Sequence, residues 1–325
     1  MKKLFLLLFI CTLAQAAFAV DQTKDFFIIP MLNYEYLSFM DQHIHSPGEG
    51  LLFTKGNLTP PLSESRNSLM IMGMFKQFII KEAGEGYADL YHNIVINAEK
   101  KMNRHLFYLN VTSQATKPFY GLHTFVGMTG YGNELIRNKS LSLTAGGIVM
   151  VTDFDMNLGG IIWPIMPMPL IRLNVETTLI NVSFEFLGNT TMDLTLLPQS
   201  KIRVTGHFEI NPFTVRDIRD LFFDTTFWYR FFSKESQMGD IAGIGAGFKN
   251  SGLGTGILNG SYSYNSWEKG KTYELNYYSI YGVLDLSVLK ISSGYSFAGR
   301  EIYDKDNIKK IGNGFFINAT LLWQF

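Results

Sequence analysis

Cysteine is almost missing from this chain: among 325 residues only Cys11 is present. It falls in an N-terminal stretch that reads as a removable leader. The rest of the chain therefore has no disulfide, no thiol nucleophile and no thiolate metal site. Charge imbalance is missing too. Lys+Arg and Asp+Glu stand at 28 each, which argues against a nucleic-acid partner and against a polybasic membrane-surface anchor. Beyond the N-terminus no stretch reaches the ~20 apolar residues of a spanning helix. The nearest, GGIIWPIMPMPL at 159–170, carries three prolines and is a poor helix. Helical periodicity, Pro/Ser linkers and charged blocks are scarce as well, so nothing divides the chain into domains.

What is there begins with MKKLFLLLFICTLAQAAFAVDQ. Lys2 and Lys3 form a basic start, Leu4 to Leu13 an apolar core, and Ala17-Phe18-Ala19 a small-x-small cleavage site. The expectation is a signal peptide over 1–19 and a single domain over 20–325. A lipoprotein signal at Cys11 is the rival, but Ile10 is too large for the position before it. Small exported folds usually rely on disulfides. Without them, this one needs a large core or a different solvent.

Period-two alternation fills most of the chain beyond the leader. In KIRVTGHFEI, Ile202, Val204, Phe208 and Ile210 share one face, and Arg203, Thr205, His207 and Glu209 the other. LIRLNVE, LINVSFEF and VLKISSGYSF behave alike, and 87–97, 106–111, 222–232 and 273–283 do so with less clean faces. Turn chemistry separates these segments at 81–86, 99–103, 114–118, 187–191, 249–254 and 265–271. Longer polar connections are expected at 41–67, 233–240 and 299–313, with 41–67 on the outer side. NPFTVRDIRDLF, with Asn211 as cap and Pro212 at the first turn, reads as a short helix or an irregular turn. The count gives 12 to 16 strands, and an even number near 14 is expected. The stretch 153–200, interrupted by prolines, is the open part.

The last fifteen residues, IGNGFFINATLLWQF, place Phe315, Ile317, Ala319, Leu321, Trp323 and Phe325 on one face. A terminal phenylalanine behind alternating apolar residues resembles the assembly signal of bacterial outer-membrane β-barrel proteins. Leu321, Trp323 and Phe325 carry that resemblance. It implies an all-β fold, a closed antiparallel transmembrane barrel in the outer membrane. The implied partners are outer-membrane lipids, the barrel-assembly machinery and small solutes. A soluble sandwich with its apolar faces packed sheet on sheet is the alternative.

In a barrel the polar faces line the lumen. They bring in Arg172, Glu176, Glu185, Asp193, Arg203, His207, Glu209, Asp224 and Arg230. Both signs occur, which reads as an ion-pair lining or as a selectivity ring. His207 with its neighbouring acids, or His123-Thr124, would serve a lipid-modifying enzyme. There is no G-x-S-x-G elbow for such chemistry, and no catalytic residue is assigned. His43, His45, Asp41 and Glu49 have the types of a metal loop, but solvated side chains explain them and no metal or cofactor is expected. Gly243, Gly245 and Gly247 predict a smooth inner strip, and Met70, Met72 and Met74 core or lumen filling. The reading is a passive pore. A sealed surface-binding barrel comes second and a lipid-modifying enzyme third.

Overall fold

The computed structural model describes residues 26–40, 42–55, 67–81, 87–152, 157–158, 161–162, 165–187, 189–210, 221–231, 243–250, 263–266, 268, 271–286, 288–304 and 307–322. The leader with Cys11, Ala17 and Ala19, the possible helix at 211–220, and Trp323 and Phe325 lie outside these residues.

The strands are β1 (Phe26–Phe39), β2 (His43–Lys55), β3 (Asn67–Lys81), β4 (Leu90–Met102), β5 (His105–Ala115), β6 (Val126–Arg137) and β7 (Leu141–Val151). Then come β8 (Asn157–Leu158), β9 (Ile161–Ile162), β10 (Ile165–Glu176), β11 (Ile180–Leu187), β12 (Asn189–Leu196) and β13 (Ile202–Ile210). The last are β14 (Leu221–Arg230), β15 (Gly243–Asn250), β16 (Ser263–Asn265), β17 (Thr272–Asp285), β18 (Leu289–Tyr303) and β19 (Asn307–Leu322). β8 and β9 form a separate small hairpin, and β16 is a short addition. The other sixteen pair antiparallel, each with the next, until β19 meets β1 from Met31↔Leu322 to Phe39↔Gly314. The sheet is a closed barrel, so the sandwich alternative falls.

Sixteen strands replace the expected fourteen, and the even number holds. Two misread segments account for the difference. The first is HIHSPGEGLLFTK, whose Pro and Gly residues look like a loop. It is instead β2, held extended between β1 and β3. The second is 165–196, where three strands, β10, β11 and β12, follow closely on one another. The expected outer loop at 41–67 is therefore corrected: Lys55 and Asn67 lie at the end of the barrel where β1 begins and β19 finishes. The expected connection at 299–313 is mostly ladder, with only 304–306 between β18 and β19.

The wall is inverted relative to a soluble protein. On β19, Phe316, Asn318 and Thr320 are buried, while Phe315, Ile317 and Leu321 are exposed at 45%, 42% and 40%. On β1, Asn33 and Glu35 point inward and Leu32 and Tyr34 outward. Outward rings meet from strand to strand, tilted in Phe223–Phe248 (5.2 Å), stacked in Tyr278–Phe297 (5.8 Å) and edge-on in Tyr36–Phe315 (5.7 Å). The interior is far from empty. One buried apolar cluster joins Leu37, Phe78, Tyr91, Trp228, Tyr273 and Phe316, and a second joins Leu106, Tyr108, Met168 and Leu187. Met74 is buried with Met70 and Met72 packed beside it, in line with the filling read for that triplet.

Candidate functional site: the lumen wall

The register assembles the inward polar residues into rows across the strands. One row runs Ser142, Asn174, Ser183, Asp193, His207, Asp224, Lys249, Ser279 and Ser296, each directly opposite the next. Side chains bond along it. Asn174 Nδ2 donates to Ser142 Oγ at 3.3 Å, and Ser183 Oγ to Asn174 Oδ1 at 2.8 Å. His207 Nδ1 and Asp193 Oδ1 are 2.6 Å apart. Ser279 and Ser296 share a hydroxyl bond of 2.8 Å. Such rows stabilise a sheet much as side-chain pairs stabilise a helix.

A neighbouring row sets Glu134, Thr144, Arg172, Glu185, Thr191 and Glu209 side by side. Arg172 Nε donates to Glu185 Oε2 at 2.6 Å, and Arg172 Nη1 to Glu99 Oε1 at 2.9 Å. Glu185 is on the adjacent strand. Glu99 is on β4, separated from β10 by β5, β6 and β7, so this guanidinium spans the interior. Charge-assisted bonds of this kind are the stronger class.

The nine charged residues expected to line the lumen do not form one ring. Arg172 and Glu185 form one cluster, and Asp193, His207 and Asp224 are consecutive in another row. Glu176 pairs with Asn181 at the end of β10. Arg203 is buried opposite Trp228, and Arg230 is buried with Nη1 donating to the Pro198 carbonyl at 3.0 Å. Asp224 accepts from the Tyr281 hydroxyl, which also bonds Thr226 Oγ1 at 2.6 Å.

Several participants escaped the sequence reading. Glu99 and Lys249 lie in stretches that read as turns, EKKMN and KNSGLG, yet both sit in strands. Buried Lys76 and Glu35 form an ion pair at 3.0 Å, and Lys249 Nζ lies 4.1 Å from the centre of the Phe316 ring. Lys76 follows the methionine triplet on the same face of β3. The inner glycine strip is present but covered. A Cβ on Gly247 would lie 2.5 Å from Tyr281 Cζ, and one on Gly245 3.0 Å from Trp228 Cε3. The strip makes room for flat rings.

The histidine candidates are scattered. His43 and His45 are on the outward face of β2, bonded through Nδ1 to Ser38 (3.1 Å) and to the Tyr34 hydroxyl (2.7 Å). His123 occupies the 3₁₀ turn Leu122–Thr124. Among the described residues no group of three or more His, Cys, Asp or Glu could hold a metal ion.

At the end of the barrel away from Phe26 and Leu322, Tyr87 donates to Asp304 and its ring lies 4.3 Å from that of Tyr303. Removal from water, then the Asp304 bond and charge, push its phenol up to about 12. A raised tyrosine favours the folded state below pH ~10, and that contribution is lost as pH rises through ~12. The ultraviolet phenolate titration of Tyr87→Phe should therefore lack one late-titrating group present in the parent protein. If the absorbance missing from the variant appears near pH ~10 instead of near 12, the Tyr87–Asp304 bond does not form.

No family model matches the chain, and no curated protein does. Solved structures that overlay on it include OccK7 (OpdD) of Pseudomonas aeruginosa, at 8% identity and TM-score 0.40, covering 93% of this chain and 99% of that one. OccAB4 of Acinetobacter baumannii overlays at 12% identity and TM-score 0.36, covering 94% and 99%. A triple mutant of the Rhodopseudomonas blastica porin overlays at 9% identity and TM-score 0.41, covering 92% and 99%.

Proposed function

We propose that the chain is an integral outer-membrane barrel acting as a passive, non-enzymatic pore for small solutes. The observation that carries this reading is Asp193. Its row faces the interior, yet its side chain is 62% exposed, so water reaches the lumen wall there. The apolar exterior supports the membrane setting. A ring of strands satisfies its own backbone groups, and its exposed Leu, Ile, Phe and Tyr side chains suit hydrocarbon. Lipids and the barrel-assembly machinery are the partners this setting requires, and Leu321 on the outer face of β19 fits the terminal signal. The sealed-barrel reading has its own support in the buried aromatic cluster around Tyr273.

Single-channel recording in a planar bilayer decides between them. The pore gives current steps of reproducible size, and Asp193→Lys shifts their ion selectivity toward anions. A folded barrel that stays silent at every voltage sinks the pore and leaves the sealed one.

A further inference from the structure

The polar row through Asp193 and His207 continues without a break to Ser279 and Ser296, but its two halves meet different surroundings. Asp193 is 62% exposed, whereas Lys249, Ser279 and Ser296 have no exposed surface. What covers the second half comes from opposite walls. Tyr273 on β17 lies 5.7 Å from Tyr91 on β4 and 6.0 Å from Phe78 on β3, centre to centre. Phe39 on β1 lies 5.6 Å from Tyr277. Around the ring, β17 and β4 are separated by β18, β19, β1, β2 and β3. In a round sixteen-stranded barrel an arc of that length holds the two walls well beyond the reach of two tyrosines. The wall is therefore drawn in.

The backbone gives the same answer independently. β16 pairs antiparallel with β17 through Ser263↔Glu274 to Asn265↔Thr272, and Asn265 makes a parallel bridge to Ala115 on β5. This short strand closes a smaller ring of β17, β18, β19, β1 to β5 and itself at the end away from Phe26 and Leu322. The first apolar cluster fills that ring.

Resting on the pore reading, we infer that the lumen is split lengthwise. The sector bounded by β15 to β19 and β1 to β4 is dry core, and solute passes along the wall from β11 to β13, beside the second apolar cluster that covers Met168 and Leu170 on β10. Glu185, Asp193, His207 and Glu209 meet every permeating solute; Lys249, Ser279 and Ser296 meet none.

Cysteine reactivity tests this directly, because Cys11→Ser in the full chain leaves every introduced thiol alone. Four variants are needed: Ser183→Cys and Asp193→Cys in the wet half, Ser279→Cys and Ser296→Cys in the dry half. Each is purified from expressing cells in detergent, and its folding is checked by heat-modifiable migration. Each is then exposed to a charged methanethiosulfonate. The thiolate takes the reagent's thioalkyl group as a mixed disulfide and releases methanesulfinate, and the mass gain is followed in time. The wet pair should react on the order of a hundredfold faster than the dry pair, whose labelling must wait for local opening. In denaturant all four should react alike. Similar rates for the two pairs in the folded protein would overturn the partition. The mass readout does not require current. Absence of conductance in all four removes the pore while the labelling contrast still decides whether half the lumen is dry.

Discussion

Glu35→Gln should destabilise the barrel by about 3–5 kcal/mol, the range for removing one member of a buried ion pair. Glu35 on β1 is fully buried and bonds Lys76 on β3 at 3.0 Å; Lys76 is itself nearly buried. Buried Lys249 lies within electrostatic reach of both. Neutralising the carboxylate therefore removes a negative charge that offsets both Lys76 and Lys249 in a space that excludes water. A second change sharpens the prediction. Lys76→Met alone removes one of the two cations, so the pair Glu35→Gln with Lys76→Met should lose less than the sum of the single losses. Urea titration of the refolded barrel, read by heat-modifiable migration, measures all three. Additive losses would mean that Glu35 and Lys76 do not act as a pair.

The second large effect is expected on current. Arg172→Ala removes the group that bonds Glu185 and Glu99 together across the interior. The triad then changes from one net negative charge to two, with both carboxylates open to water. A unit charge at ~4 Å is worth about 1 kcal/mol even in bulk water, more in a narrow lumen. Cation preference should rise several-fold, and conductance with it, because the bond that spans from β10 to β4 no longer narrows the path. Reversal potentials in a salt gradient measure the first and step sizes the second. If both match the parent protein, the ion path does not pass Arg172. Stability should fall less than for Glu35→Gln, since Glu185 and Glu99 keep access to water.

Much of this architecture was legible from alternation. The inward and outward faces read from KIRVTGHFEI and from the last strand are those in the barrel, because a pleat has only two sides. Register was not legible. That His207 stands between Asp193 and Asp224 depends on where β12, β13 and β14 are set against one another, and no local pattern fixes that. Turn chemistry misled in both directions. His-Ser-Pro-Gly-Glu-Gly looks like a loop, yet neighbouring strands on both sides hold it extended as β2. Glu99 and Lys249 sit where charge and Asn or Gly signal a turn, but the ladder runs on past them. The narrowing of the interior was beyond reach altogether. It rests on rings from β1, β3 and β4 meeting rings from β17, contacts with no sequence spacing to announce them.

The seam between β1 and β19 sets the pace of assembly. Asn33 donates to Asn318 Oδ1 and Thr320 Oγ1 at a chain separation of more than 280 residues. Contacts that distant are slow to find, since the entropy of bringing the ends together is spent before any bond is gained. Every other pair in the ring can zip from a nearby neighbour; this one has none. Until it forms, β1 and β19 are two bare edges with unpaired N–H and C=O groups, each a template for another chain. The assembling protein is then at its most aggregation-prone just before completion, when fifteen of the sixteen pairings are made and the remaining one is the hardest.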